Sequence, residues 1–182
     1  FQELFDNDLI DKKYLALVRG FVQDGGIIDS PVKNDRGNYK EALTYYRIFK
    51  TKELAIAVKP YTSSRYSWIV MSPKTGRMHQ LRIHANKISH PIIGDHKYGN
   101  RHHNKMFEEE LNSPNLFLHA FKLSFVHPYL NVKLILKASL PEFWISFEKL
   151  WQRKKPCKFC KALNFINQCI VISLRLFYVY CI

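Results

Sequence analysis

A chain of 182 residues, 47% hydrophobic and 24% charged, has room for one globular domain plus an extension and is too apolar to be disordered as a whole. Its formal charge of +13 favours a polyanionic partner, nucleic acid first and an acidic membrane surface second, over a merely soluble basic protein. Residues 151–182 hold none of the acids and all four cysteines, so residues 1–150 need no oxidising compartment and read as cytoplasmic.

The chain opens on FQELFDNDLIDKKY, which is acidic and amphipathic rather than a signal peptide. It starts at Phe1 rather than Met, and the expectation is a fragment that begins inside a longer protein. Residues 1–11 read as the end of a helix with Phe1, Leu4, Phe5 and Leu9 on one side. Residues 12–20, KKYLALVRG, read as a strand ending at a glycine. Residues 24–38, rich in Gly and Asp, read as loop, and residues 42–58 as two strands joined near residues 50–52 or slightly later. Residues 64–76 form a further strand closed by a Pro-Lys-Thr-Gly turn.

From Arg77 to Ile88 the period becomes helical. Met78, Leu81, Ala85 and Ile88 make an apolar stripe, and Arg77, Gln80 and His84 lie on another face. Ser89-His90-Pro91 ends this helix, because the residue before proline avoids helical geometry. A short helix is expected over 104–111, and a hairpin with strands over 115–127 and 132–140. Pro141 then opens the amphipathic helix EFWISFEKLW. Hairpins with few helices between them predict an α+β fold. Residues 152–182 read as a separate extension. Their basic flank before an apolar run sketches a membrane anchor, but Asn164, Asn167, Gln168 and Arg175 interrupt it. One Arg in a bilayer core costs about 2.5–3.5 kcal/mol on insertion scales, so no membrane span is expected.

The densest chemistry is TGRMHQLRIHANKISHPIIGDHKYG, residues 75–99. As a metal site it fails on spacing: His79, His84, His90 and His96 stand five, six and six apart, where a helical zinc pair wants four. Cys157 and Cys160 are half a zinc motif whose second pair is missing. No GxSxG and no phosphate loop is present. Nucleic-acid contact fits better. Arg77 and Arg82 carry fixed charge, His79, Gln80, His84 and His90 add polar groups, and Lys97, Tyr98 and Arg101 add charge and a ring. The bland reading of the same residues is a solvated helix face and a basic loop.

The order of these residues carries more than their density. TGRMHQLRIH (75–84), HPIIGD (90–95) and Tyr98-Gly99 together resemble the signature of RluA-type pseudouridine synthases. KKYLALVRG resembles that family's K-x-Y strand, and Leu118-His119-Ala120 with His127-Pro128 resembles its LHA…HP hairpin. The resemblance covers about residues 1–151. Residues 42–46, 65–66 and 73–96 look closest to the tRNA pseudouridine synthase C branch.

The resemblance implies a catalytic-domain fold with a mixed, mainly antiparallel sheet and flanking helices. It implies isomerisation of uridine to pseudouridine in RNA, tRNA within that branch, with no cofactor and no metal. In that chemistry an aspartate attacks as the glycosidic bond breaks, the base turns, and a carbon–carbon bond forms. By resemblance, Tyr14 is the tyrosine that packs on the base and acts in proton removal. Arg82 pairs with the catalytic aspartate, Arg77 is its weaker rival, and Ile92 or Ile93 lines the base pocket. A nearby guanidinium would keep such a carboxylate ionised in a partly dry site, and a ring would replace stacking lost by the base.

One motif is missing. The family's aspartate lies in H-R-L-D-x-x-T-S-G, upstream of the K-x-Y strand, and no such stretch occurs in the 182 residues. Residues 1–11 look like the helix that follows it. Asp6, Asp8 and Asp11 sit in the wrong motif, and Asp95 belongs to the His-Pro-Ile-Ile-Gly-Asp turn with nothing to mark it as a substitute. The chain by itself is therefore expected to be inactive, to have limited stability or exposed sheet edges, and to leave a non-catalytic RNA-binding remnant as the rival reading.

Overall fold

The computed structural model describes residues 3–4, 7–34 and 36–153. The chain divides into two units, Phe1–Trp144 and Ile145–Ile182. Most of the expected extension, with its four cysteines, lies outside the described residues.

A six-stranded sheet organises the first unit, in the order β2-β5-β6-β1-β7-β8. Its strands are β1 (Asp11–Arg19), β2 (Gly26–Asp29), β5 (Leu43–Leu54), β6 (Ser64–Pro73), β7 (Leu118–Val126) and β8 (Lys133–Lys137). Every pairing between them is antiparallel. A two-stranded ribbon, β3 (Val32–Lys33) and β4 (Tyr39–Lys40), stands apart. The helices are α1 (Gln80–Lys87), α2 (Arg101–Leu111) and α3 (Glu142–Arg153). No described helix is long and apolar enough to cross a membrane. The α+β expectation holds.

β1 is covered on both faces, so Leu15, Ala16, Leu17 and Val18 are all buried and the strand reads as an apolar run. On one face Ala16, Val18, Ile69 and Met71 meet Leu81 and Ala85 of α1 and Ile92 beyond it. On the other, aromatic rings meet edge to face. Trp68 packs on Trp144, Phe117 on Phe107 and Trp144, and Tyr66 on Phe107 of α2. β1 sits at the centre because only there can one strand serve both layers.

Several elements differ from the sequence reading. Residues 24–38 are not all loop. Gly26–Asp29 pairs with β5, burying Ile28 and exposing Ile27, so a two-residue alternation was hidden among turn formers. Residues 42–58 hold one strand rather than two, because a bulge between Ile48 and Lys50 absorbs the irregularity without breaking the pairing with β6. Leu9, assigned to the apolar side of residues 1–11, is 61% exposed while Ile10 is buried; Phe1 and Phe5 of that side lie outside the described residues. Met78 precedes α1 and is exposed; Leu81 and Ala85 alone of that stripe are buried. α2 begins earlier than expected, at Arg101, because Asn100 caps it and accepts from the His102 and His103 amides. The outer strand β8 exposes Ile135 and Leu136.

Candidate active site

The site grows from how α1 is pinned. Eight residues make a marginal helix, so tertiary bonds must hold it. Gln80 Nε2 donates to the Leu43 carbonyl and to Thr44 Oγ1, and its Oε1 accepts from Thr75 Oγ1 and the Arg77 amide. One turn later His84 Nδ1 lies 2.9 Å from Thr44 Oγ1, and His84 Nε2 lies 2.9 Å from the Ser30 carbonyl. The carbonyl can only accept, so Nε2 carries the proton and Nδ1 accepts from the threonine hydroxyl. Burial lowers the His84 pKa and keeps the ring neutral.

Gln80 and His84 were expected to touch RNA. They are 4% and 0% exposed, with these bonds occupying them, so burial turns them away from an RNA-facing surface. They latch α1 to β5.

Arg82 lies about 200° around the helix from Gln80, so the latch turns it outward. There it meets Asp95: Nε donates to Oδ2 at 2.8 Å and Nη2 to Oδ1 at 2.7 Å. The Asp95 side chain is 1% exposed and the Arg82 side chain 21%. Asp95 Oδ1 also accepts from the Lys97 and Tyr98 amides, each at 2.9 Å. Burial alone would raise the Asp95 pKa, but the Arg82 bond and the two amides outweigh it and the net shift is downward. The Arg82 pKa is raised, chiefly by the hydrogen bonding it donates to Asp95. The Tyr98 ring lies 5.2 Å from the guanidinium carbon, and His79 Nδ1 lies 3.3 Å from the Tyr98 hydroxyl. His79 itself holds a left-handed backbone, φ 55°, at the cap of α1, a conformation uncommon outside glycine.

The Asp95 loop is equally fixed. Asn104 Oδ1 accepts from the Gly94 amide while its Nδ2 donates to the Asp95 carbonyl. Ile93 N donates to the Leu17 carbonyl and Phe117 N to the Ile93 carbonyl, so the loop is threaded between β1 and the approach to β7. Gly94, at φ +77°, allows this, since a Cβ there would fall 1.9 Å from the Asn115 carbonyl oxygen.

Tyr14 lies on β1 beside a register shift at Lys13/Tyr14, where Phe121 of β7 is passed over. Such bulges re-aim side chains. Tyr14 pairs with Met71 on one side and Ala120 on the other, and it packs against the cluster containing Leu81 and Ala85 of α1. It is half-buried, and burial raises its phenol pKa, so the hydroxyl keeps its proton at neutral pH. Three segments distant in sequence, residues 12–20, 75–99 and 118–120, thus meet around β1.

The other expected contacts divide. Arg77, Lys97 and Arg101 are exposed; Arg77 Nε donates to the Glu41 carbonyl. His79, His90 and Tyr98 are half-buried, with His90 Nδ1 2.7 Å from the Arg19 carbonyl. Ile92 and Ile93 are each 1% exposed and belong to the interior, offering no surface to a base in this structure. Among the described residues no group of three metal-ligating side chains gathers. A cavity of about 300 Å³ lined by Phe21, Val22, Gln23, Tyr46, Ile88 and His90 includes neither Arg82 nor Tyr14. Sequence reasoning passed over Asp95 and Asn104. Asp two and three residues before the amides at 97 and 98 marks a local turn, a signal the sequence carries; the burial that makes this acid need a cation belongs to the fold.

A profile of the RNA pseudouridylate synthase family matches residues 1–87. The tRNA pseudouridine synthase C of Vibrio cholerae is 37% identical over 152 residues, which are 78% of this chain and 62% of that protein. The chain is thus similar to the RNA pseudouridylate synthase family over residues 1–87, just under half of its length. Its similarity to the tRNA pseudouridine synthase C proteins extends to Haemophilus ducreyi, 37% identical, and Salmonella typhimurium, 36% identical, each over 78% of this chain. The chain spans about three-fifths of the length of these curated relatives, 62%, 63% and 58% of each. Of solved structures, human RNA pseudouridylate synthase domain containing 1 aligns with a TM-score of 0.59 and 25% identity, over 85% of this chain and 70% of that one. Human RNA pseudouridylate synthase domain containing 4 shares the fold, with a TM-score of 0.61.

Proposed function

We propose that these residues form one wall of an active site that converts uridine to pseudouridine in RNA, and in tRNA specifically. The N1–C1′ bond breaks, a C5–C1′ bond forms, N1 gains a proton and C5 loses one, so the base is an isomer of its precursor. No cofactor or metal is required by that balance. The observation that carries this reading is Arg82, a guanidinium held along its Nε/Nη2 edge by Asp95, which leaves Nη1 and one Nη2 hydrogen outside that fork. That free edge suits a second carboxylate, the nucleophile, which the family places in a motif these 182 residues do not contain. Tyr14, with its phenol protonated, is the ring that would face the displaced base.

Affinity for RNA would come from the exposed cations. α2 opens on Arg101 and His102, with no acid in its first turn. A helix start favours anions, so cations placed there need compensation, which backbone phosphates would supply. In the curated relatives the names specify tRNA, and that is the substrate proposed here.

Uridine tritiated at C5 in tRNA reports the reaction directly, because the C5 hydrogen leaves as water. The complete translated product carrying these residues should release tritium, and residues 1–182 alone should bind tRNA without releasing it. Release by the isolated 182 residues would refute the need for an outside carboxylate. Binding with no release by the complete product would favour the non-catalytic RNA-binding reading.

A further inference from the structure

Arg82 is a flexible side chain, and its usefulness depends on which edge it presents. Two features of the fold decide that edge. The Asp95 carboxylate is anchored without help from Arg82: the amides of Lys97 and Tyr98 hold Oδ1, and Asn104 grips the main chain at Gly94 and Asp95. The Tyr98 ring lies against the guanidinium, 5.2 Å from its central carbon. Asp95 takes Nε and one Nη2 hydrogen, leaving Nη1 and the outer Nη2 hydrogen. A lysine has no second edge to present.

We infer that Asp95 is the positioning residue of this site: its fixed carboxylate selects the edge of Arg82 offered to the nucleophile and balances part of its charge. The role rests on the proposed synthase reading. The charge balance matters as much as the orientation. An unbalanced guanidinium would hold the attacking carboxylate more tightly and lower its pKa, making it a weaker nucleophile. Asp95 lets Arg82 act as an orienting fork.

The test is Asp95→Asn, which keeps an oxygen for the loop amides and removes the charge. In the complete product, tritium release from C5-labelled tRNA should show kcat lowered about ten- to a hundred-fold, the size of one lost hydrogen bond between charged groups. KM for tRNA should stay near wild type, and the acid limb of the pH–rate profile should move down. In residues 1–182, the Arg82 Nε–H resonance in a ¹⁵N spectrum should collapse toward the exposed arginines. Wild-type kcat and pH profile in Asp95→Asn, with the resonance collapsed, would make Asp95 a structural partner only and overturn the inference. An unchanged resonance would overturn it too. Absence of tritium release by the wild-type product is a different result: it sinks the synthase reading, and this role with it, while the resonance still responds. Should Asp95→Asn not fold, Asp95→Glu keeps the charge and displaces its oxygens from the loop amides. It too should lose kcat at normal KM, and a wild-type kcat there would refute the positioning role.

Discussion

His103 gives a stability test with a number attached. Its ring sits on α2 one residue from Asn104, and its Nδ1 lies 2.8 Å from the Tyr66 hydroxyl on β6. Tyr66 is completely buried. Burial pushes the His103 pKa down from 6.5 to about 4, with the charges of Arg19 and His102 adding to it. The folded value lies below the unfolded one, so the unfolded chain takes the proton first. The stabilisation is complete above pH 6.5 and is lost as pH falls toward 4. At about 1.4 kcal/mol per pH unit, acidifying from 7 to 4.5 should remove about 2.5 kcal/mol through this ring.

His103→Gln keeps a polar partner for Tyr66 and cannot titrate. Urea melts of residues 1–182 at pH 7 should place the variant within about 1 kcal/mol of wild type. At pH 4.5 the variant should have lost about 2.5 kcal/mol less than wild type. A residual slope should remain in both, because His84 is shifted the same way. Equal slopes in wild type and variant would refute the reasoning. The result bears on the site, since α2 carries the Asn104 that holds the Asp95 loop.

Gly94→Ala should destabilise the fold by about 3 kcal/mol or more in urea melts, since neither the positive φ nor the Asn115 carbonyl leaves room for the methyl group. Thr44→Val removes the hydroxyl shared by Gln80 and His84 and should cost about 2 kcal/mol by thermal melt, leaving two buried polar atoms short of a partner. Arg101→Ala and Lys97→Ala should each weaken tRNA binding at 0.1 M salt and reduce the slope of log affinity against log salt by about 1, with no change in melting temperature. An unchanged slope would remove that residue from the RNA surface.

Motif order served the reading of this chain better than periodicity did. The helix at Gln80–Lys87 and the strand at Asp11–Arg19 were legible because their apolar spacing and their stops, Pro91 and Gly20, agree. β2 was not, because two glycines and two acids around Ile27-Ile28 mimic a turn until β5 is there to pair with it. The polar face of α1 misled for a physical reason. Gln80 and His84 look solvated by type, yet Thr44 and Ser30, distant in sequence, supply partners that let them be buried. Asp95 was dismissed as a turn residue. Local spacing does explain its bonds to the amides of Lys97 and Tyr98, but only the fold brings Arg82 to its other oxygen. Arg82 was singled out from its motif, and its partner among the described residues is an acid the sequence reading set aside.

The most direct measurement is tritium release from C5-labelled uridine in tRNA by the complete translated product, wild type against Arg82→Met. The account expects release by the wild type and a loss of about a hundred-fold or more in kcat for the variant, with tRNA still bound. Equal release by the two proteins, or none by the wild type, would contradict it.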